Sequence, residues 1–328
     1  MSGSPGLAAK ERAEVRALLM LDAAPGIGLV RLRRIVETFG SAEAALAVPA
    51  RDFEAVAGSV AAAGREDPSL GATVDAALAI GARLRMETCT WASADYPPAM
   101  HQLHDPPPVL FLRGRRELLT RGSVTIIGAR HATSRAREIA DRLAQAIAYA
   151  GLPVASGLAL GVDGAAHRGA LKAGGDTIAV LGRGADLAYP ATHRALFRDI
   201  VARGLVVSEF LPGTPPLPHH FPRRNRILAA LSRAVVVVEA GAKSGSLITV
   251  DHALDLGVDV WAVPGPIEVA MCEGSNRMLA DGARPLLSIA GFVEALTGGD
   301  SPGARVTPAA TGPGGRLLAC LGAETLGV

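Results

Sequence analysis

The segment FPRRNRI, residues 221–227, places three arginines around one asparagine, directly before the apolar run LAAL. Three guanidinium groups cannot be buried without partners, because removing an uncompensated charge from water is costly. Guanidinium groups also bind phosphate oxygens through paired N–H donors. The segment therefore predicts a binding site for a phosphate anion.

Six short apolar runs that alternate with helical segments indicate the fold around this site. The runs are VTII (124–127), PVAS (153–156), TIAVL (177–181), LVVS (205–208), AVVVVEA (234–240) and VDVWAVPG (258–265). Strands that are apolar on both faces and separated by helices are typical of βαβ units in a buried parallel sheet. We expect an α/β fold with a doubly wound, mostly parallel, Rossmann-like sheet over residues 123–297.

The loops that follow these runs share glycines, hydroxyl groups and cations. Ligands of open parallel sheets bind beyond the carboxyl ends of the strands, where glycines expose backbone amides and helix N-termini carry partial positive charge. Turn formation alone would explain the glycine and serine of any single loop, but not the repeated cations. We predict one cationic trough along this edge of the sheet. Its candidate phosphate-binding residues are Gly128, Arg130, Ser156, Gly157, Gly161, Gly182, Arg183, Arg194, Phe197, Arg223, Arg224, Asn225, Arg226, Lys243, Ser244, Gly245 and Ser246.

The motifs of nucleotide enzymes are incomplete in this sequence. Neither GxxxxGK[ST] nor GxGxxG occurs with the required spacing, and the pair Asp163 and His167 lacks a marked nucleophile. His219 and His220 have no partners at metal-ligand spacing. We expect no enzymatic activity, no metal and no cofactor, which leaves a polymer of phosphates as the ligand. Phe197 is the predicted ring for base stacking, and Tyr189 and Phe221 are alternatives.

The remaining segments differ in composition. Residues 1–88 are Ala-rich with helical periodicity, and the turn APGIG (24–28) is typical of a helix-hairpin-helix module; Ser41 is the expected N-cap of a later helix. Residues 89–122 are predicted as a Pro-rich linker that ends in an edge strand, VLFLRG. Residues 298–328 are predicted as a flexible linker followed by one short helix, RLLACLGAETLGV.

Charge and cysteine content exclude few classes of protein. The 33 basic and 31 acidic residues nearly cancel, although all but three of the basic residues are arginine. Arginine content on this scale is also what GC-rich coding produces. The three cysteines, Cys89, Cys272 and Cys320, are far apart and form no disulfide framework. With no apolar run of signal or membrane-span length, we expect a cytoplasmic protein.

Several motifs, in this order, resemble the DNA-processing protein A family (DprA, or Smf). They are SGLALGVDGAAHRGAL, TIAVLGRGADLAYP, SEFLPGTPP, FPRRNRILAALS, VVVVEAGAKSGSLIT, WAVPGP and GSNRMLADGA. The helical N-terminal segment also resembles the family's sterile-alpha-motif-like domain. The resemblance implies a homodimeric, non-enzymatic protein that binds single-stranded DNA, protects incoming DNA and loads the recombinase RecA in natural transformation.

Carried over onto this sequence, the resemblance implies particular DNA contacts. These are Arg130, Arg194, Phe197, Arg223, Arg224, Arg226, Ser244, Gly245 and Ser246. Three positions depart from the family pattern: Leu160 stands where an arginine is usual, His193 replaces an asparagine, and Ala191 stands where lysine is frequent. Of the family's C-terminal winged helix, only a first helix could exist within residues 298–328.

Two alternatives remain open from the sequence alone. One is a nucleotide or phosphoribosyl hydrolase that uses the same pocket, and the other is a RecA adaptor whose DNA contact is incidental. Residues 276–283 are the candidate dimer surface.

Overall fold

The computed structural model describes residues 5–298, and it begins with a bundle of helices. Leu32 and Ile35 bury one face of the second helix, and the Ser41 hydroxyl caps the third by accepting the Ala44 amide at 3.0 Å, as predicted. The helices are α1 (Pro5–Ala23), α2 (Leu29–Phe39), α3 (Ala42–Ala47), α4 (Ala50–Ala57), α5 (Ser59–Arg65) and α6 (Pro68–Arg83).

The predicted hairpin turn lies between α1 and α2, with Gly26 in the left-handed region at φ 79°. Two of the arginines that follow the turn are already engaged. Arg31 donates to the Gly26 carbonyl, and Arg34 donates to the Val56 carbonyl at 2.9 Å. These guanidinium groups therefore stabilise the backbone of the bundle.

A mixed, mostly parallel sheet occupies the following part of the chain. The strands are β1 (Glu87–Thr90), β2 (Val109–Gly114), β3 (Ser123–Ile127), β4 (Val154–Ser156), β5 (Thr177–Val180), β6 (Leu205–Ser208), β7 (Ser232–Val237), β8 (Asp259–Ala262) and β9 (Arg284–Pro285). Within residues 5–298 they are ordered β1-β2-β6-β5-β4-β3-β7-β8-β9. The strands β3 to β8 match the six predicted apolar runs, which confirms the predicted fold class.

The prediction of VLFLRG as an edge strand is wrong. β2 pairs antiparallel with β6 on one side and with β1 on the other, so β1 forms the edge. Its sequence, ETCT, is short and polar and crosses the predicted boundary at residue 88. Alternate β2 residues are buried on opposite faces, with Val109 and Phe111 in one core cluster and Leu110 and Leu112 in the other.

Helices cover the sheet and complete the two cores. They are α7 (Ser134–Tyr149), α8 (Val162–Lys172), α9 (Arg194–Arg203), α10 (His220–Ala230), α11 (Leu247–Asp255), α12 (Glu273–Ala280) and α13 (Ile289–Thr297). The core cluster that contains Phe111 also contains the buried residues of α1 and α2, so the helical bundle shares a core with one face of the sheet. No helix in the described range has the length and apolar character required to cross a bilayer. The predictions for residues 299–328 lie outside the described residues.

Candidate nucleic-acid interface

A cavity of about 540 Å³ lies where the carboxyl ends of β3 and β7 meet α10 and the start of α11. The sheet reverses its winding between these two strands, because β3 leads on towards β4 and the chain later returns to place β7 on its other side. Ligand sites of doubly wound folds form at such a switch point. The described cavity residues include Gly128, Arg130, Arg224, Asn225, Lys243, Ser244, Gly245 and Ser246. Eight of the predicted site residues are thus brought together.

Helical spacing decides which part of FPRRNRI faces this cavity. Phe221, Arg224, Asn225 and Leu228 line it, at positions i, i+3, i+4 and i+7 of α10. The other two arginines of the segment lie on a different face of the helix. Only part of the predicted arginine cluster is therefore available to a ligand in the cavity.

Cations outnumber carboxylates around the cavity. Arg130 and Lys243 are exposed, and neither forms an ion pair with any carboxylate in the described chain. The Arg130 guanidinium lies 4.9 Å from the centre of the Phe221 ring, and Tyr189 packs on that ring at 5.7 Å. Among the described residues that line the cavity, Asp163 is the one acidic residue. The mouth of the cavity therefore combines unpaired cations with an aromatic face.

Arg224 is buried at the inner wall and is held by the protein itself. Its guanidinium donates to the Val180 carbonyl and, at 3.2 Å, to the Asn225 side-chain oxygen. Burial lowers the pKa of Arg224 to about 10, against the opposing effect of Asp163, so the group stays charged at neutral pH. A Cβ at residue 157 would overlap this guanidinium, which explains the need for Gly157.

The loop before α11 presents a small, polar surface to the cavity. The Ser244 and Ser246 hydroxyl groups lie 2.7 Å apart, and the Gly245 carbonyl accepts from Asn225 at 3.1 Å. No atom lies within 4 Å of the position of a Cβ on Gly245, so the space there is open to a ligand. The N-terminus of α11 adds partial positive charge at the same place.

The open space beside Gly245 leads to a direct prediction. A Gly245→Ala substitution leaves the melting temperature unchanged, because its methyl group contacts no protein atom and the backbone of Gly245 is not left-handed. The methyl group occupies ligand space, and we expect it to weaken oligonucleotide binding by about 1 kcal/mol or more. Fluorescence anisotropy measures the affinity. Unchanged affinity in the folded variant would place the ligand elsewhere.

Arg226 and Arg223 do not face the cavity, which corrects the prediction of a single trough. The Arg226 and Glu209 side chains are each 2% exposed and form a two-bond ion pair at 2.5 and 2.8 Å. Arg226 also pairs with Asp105 at 2.9 Å, and the half-exposed Arg223 pairs with Glu209 at 2.9 Å. The anion beside Arg226 is a carboxylate of the protein.

Phe197 and Arg194 also lie away from the cavity. Phe197 is 4% exposed in the core and lies under the Arg113 guanidinium at 5.5 Å, because it follows Leu196 on the buried face of α9. It therefore offers no free ring for stacking. Arg194 is exposed at the start of the same helix, but it does not line the cavity. Phe221, the alternative ring, does.

The other predicted residues support the loops rather than line the cavity. The Ser156 hydroxyl donates to the Ile126 carbonyl at 2.6 Å, and a Cβ at Gly182 would lie 2.9 Å from the Phe221 ring. Gly161 is left-handed at φ 77°, and Arg183 is half-buried. Ser156, Gly161 and Gly182 thus set the positions of neighbouring loops and of the Phe221 ring.

Asp163 and His167 form hydrogen bonds with different parts of the protein. Asp163 accepts the amides of Gly157 and Ala159 at 3.1 and 3.3 Å, so its carboxylate organises the loop that precedes α8. His167 is fully buried and its Nδ1 lies 2.7 Å from the Thr177 hydroxyl on β5. Burial lowers the pKa of His167 to about 3, which keeps the ring neutral.

Some cavity residues were not identified from the sequence. Thr249 is buried beneath the SGS loop, and its hydroxyl group has no partner among the described residues. Its position, three residues after Ser246, places it on the same face of α11, which is the one signal in the sequence. His131, Pro218 and Met271 also line the cavity. In residues 5–298 no group of three histidine, cysteine or acidic side chains is arranged to hold a metal.

Comparison with known proteins identifies the family. The family model described as DNA recombination-mediator protein A matches residues 87–297. The Smf protein of Synechocystis sp. is 42% identical over 200 residues, which cover 59% of this chain and 50% of that protein. The chain thus spans half the length of this relative.

Two solved structures have the same architecture. The crystal structure of DNA processing protein A from Streptococcus pneumoniae superposes with a TM-score of 0.71 at 31% identity, covering 87% of this chain and 96% of that one. DNA processing protein A from Helicobacter pylori, solved for its single-stranded DNA binding mode, has a TM-score of 0.60 at 30% identity, covering 65% and 96% of the two chains. The resemblance predicted from the motifs is confirmed: the chain belongs to the DNA recombination-mediator protein A family.

Proposed function

We propose that this chain binds single-stranded DNA in the cavity between α10 and α11 and acts without catalysis. The observation that carries the proposal is the convergence of Arg130, Lys243 and the SGS loop on one open cavity beside the Phe221 ring. Cations and amides hold a sugar-phosphate backbone, and an aromatic face stacks on an unpaired base. The single-stranded DNA binding reported for the Helicobacter pylori relative supports this choice of ligand.

The geometry favours a single strand over a duplex. Phe221 is half-buried against Tyr189 and Gly182, and the exposed Arg130 guanidinium lies over its ring, so a base that has left its own stack can use this face by displacing that guanidinium. A paired base cannot use this face without being flipped out, which costs a few kcal/mol. Stacking on an aromatic ring tolerates any base, so binding is expected to be largely independent of sequence.

A nucleotide hydrolase remains the catalytic alternative, since Asp163 lines the same cavity. Burial raises the pKa of Asp163, which is a property of many general acids and bases. Its carboxylate, however, already accepts two backbone amides. We propose a structural role for Asp163, and release of free base from a panel of nucleotides would instead establish hydrolysis.

Protection of incoming DNA and loading of RecA form the wider role that we propose on the basis of family membership. A homodimer with residues 276–283 in its interface belongs to the same proposal. The wild type and an Arg130→Ala, Lys243→Ala double variant are compared in two assays, pull-down of RecA and loading of RecA onto single-stranded DNA. Together the assays distinguish a loader from an adaptor. Loss of RecA-DNA loading with retained RecA binding supports a loader, whereas unchanged loading supports an adaptor with incidental DNA contact.

The exposed cation at residue 130 provides a test of the electrostatic part of the proposal. Arg130→Ala is expected to weaken all single-stranded sequences alike and to reduce the slope of log affinity against log salt by about 0.7, the value for one phosphate contact. Anisotropy titrations at several salt concentrations measure both quantities.

Arg233→Ala is the matched control for this test. Arg233 is also exposed, but it lies near the amino end of β7, at the opposite edge of the sheet. Its removal should leave the salt slope unchanged. An equal reduction of the slope in both variants would show that the cations act through overall charge and not through the cavity.

A further inference from the structure

A second cavity, of about 300 Å³, lies between α2 and the segment that joins β1 to β2. Five residues of α2 line it on one side, and three residues of the joining segment line it on the other. They are Leu29, Val30, Arg33, Arg34, Glu37, Trp91, His104 and Pro106. On α2, positions 29, 33 and 37 are four residues apart, as are positions 30 and 34, so a single face of the helix lines the cavity.

Two planar groups stand across this cavity. The Arg33 guanidinium lies 6.0 Å from the centre of the Trp91 ring. Direct stacking would bring them to about 3.5–4 Å, and one flat ligand between them would need about twice that spacing. Arg33 is exposed and forms no ion pair with the described residues, so its side chain can move by the remaining distance of about 1–2 Å. The gap therefore nearly matches the thickness of one aromatic ring.

The polar groups at the edge of the gap suit a nucleobase better than an apolar side chain. Arg34 keeps N–H donors besides the one bound to the Val56 carbonyl, and it adds them, with the His104 ring, beside Arg33, while the Glu37 carboxylate can accept from the amino group of a base. Val30, 75% exposed, and the half-buried Leu29 form an apolar rim. The two arginines outnumber the single Glu37 carboxylate, so the charged side chains of the cavity are net positive. A net positive charge favours the phosphate group that accompanies each base.

We propose that this second cavity binds a base of the same DNA strand, by stacking between Trp91 and Arg33. The inference rests on the proposed function of the first cavity, and α10 connects the two. Phe221 and Arg224 on one face of α10 line the first cavity, whereas Arg226 on another face contacts Asp105, between His104 and Pro106 of the second. The proposal therefore places successive parts of one strand in the two cavities, on either side of α10.

The fluorescence of Trp91 tests this proposal directly. The sequence contains two tryptophans, Trp91 and Trp261, and a Trp261→Phe substitution leaves Trp91 as the only one. Trp261 packs against Phe292 in the core near β9, so phenylalanine there preserves an aromatic contact. This variant is titrated with a twenty-nucleotide thymidine oligomer, with a thymidine trinucleotide and with thymidine monophosphate.

The proposal predicts that the long oligomer quenches Trp91, while the trinucleotide binds in the first cavity and leaves Trp91 unquenched. Trp91→Ala should weaken binding of the long oligomer by about 5- to 150-fold, the range for loss of one stacked base, and leave trinucleotide affinity unchanged. Trp91→Phe, which keeps a ring and guards against a folding defect, should restore most of the affinity.

Two results would overturn the proposal. One is tight binding of the long oligomer with no change in Trp91 fluorescence; the other is quenching by the monophosphate alone, which would indicate a nucleotide site and not a strand site. Failure of the proposed function itself gives a different pattern, because no oligomer of either length would then respond to loss of Arg130 and Lys243.

Discussion

An Arg226→Ala variant is expected to lose about 3–5 kcal/mol of unfolding free energy, although the same arginine stands in the middle of the predicted phosphate-binding segment. Arg226 and Glu209 are both 2% exposed and share two hydrogen bonds. Removal of the guanidinium leaves a buried carboxylate with Arg223 as its remaining cation. Urea denaturation followed by far-ultraviolet circular dichroism measures the loss.

Two further variants show whether the buried charge causes this loss. Arg223→Ala should cost about 1 kcal/mol or less, because the Arg223 side chain is 43% exposed and its ion pair is screened by water. Adding Glu209→Gln to Arg226→Ala should recover part of the stability, since the carboxylate that lost its buried partner is then replaced by a neutral amide. A stable Arg226→Ala protein that has lost DNA binding would return Arg226 to the DNA-contacting surface.

A Phe221→Leu variant is expected to bind single-stranded DNA more weakly by about 1–3 kcal/mol, the usual contribution of one base stacked on an aromatic ring. Leucine preserves apolar volume against Tyr189 and Gly182, but it has no flat face. Anisotropy titration with mixed-sequence oligonucleotides measures the change, which should be similar for all sequences.

Phe197→Leu is the matched control for Phe221→Leu. Its ring is buried under Arg113, so the substitution should lower the unfolding free energy and leave the affinity of the folded protein unchanged. The reverse pattern, with affinity lost at residue 197 and retained at 221, would place base stacking on α9.

Local patterns in the sequence predicted the parallel strands β3 to β8 because these strands of three to six residues are largely apolar on both faces. They did not predict β1, whose ETCT sequence becomes a strand only through its pairing with β2. The order of the strands around the switch point depends on contacts between distant segments, and this order is what brings the loops after β3 and β7 to one cavity.

The division of FPRRNRI into a cavity face and an ion-pair face was not predictable from the segment alone. Arg224 and Arg226 have the same chemistry, and helical spacing separates them only once the rotation of α10 is known. That rotation is fixed by Glu209 and Asp105, which come from a different strand end and from the segment before β2. Phe197 and Phe221 also have the same chemistry and differ only in their surroundings: Phe197 lies in the core, whereas Phe221 lines the cavity.

Photo-cross-linking most directly tests the claim that the cavity between α10 and α11 holds the DNA. A short oligonucleotide carrying one 5-iodouracil is bound, irradiated and digested, and the cross-linked peptide is identified by mass spectrometry. We predict that the cross-link forms on Phe221 or Tyr189, and that Lys243→Ala reduces its yield. Cross-links confined to α9 around Phe197, with none in residues 218–249, would contradict the assignment.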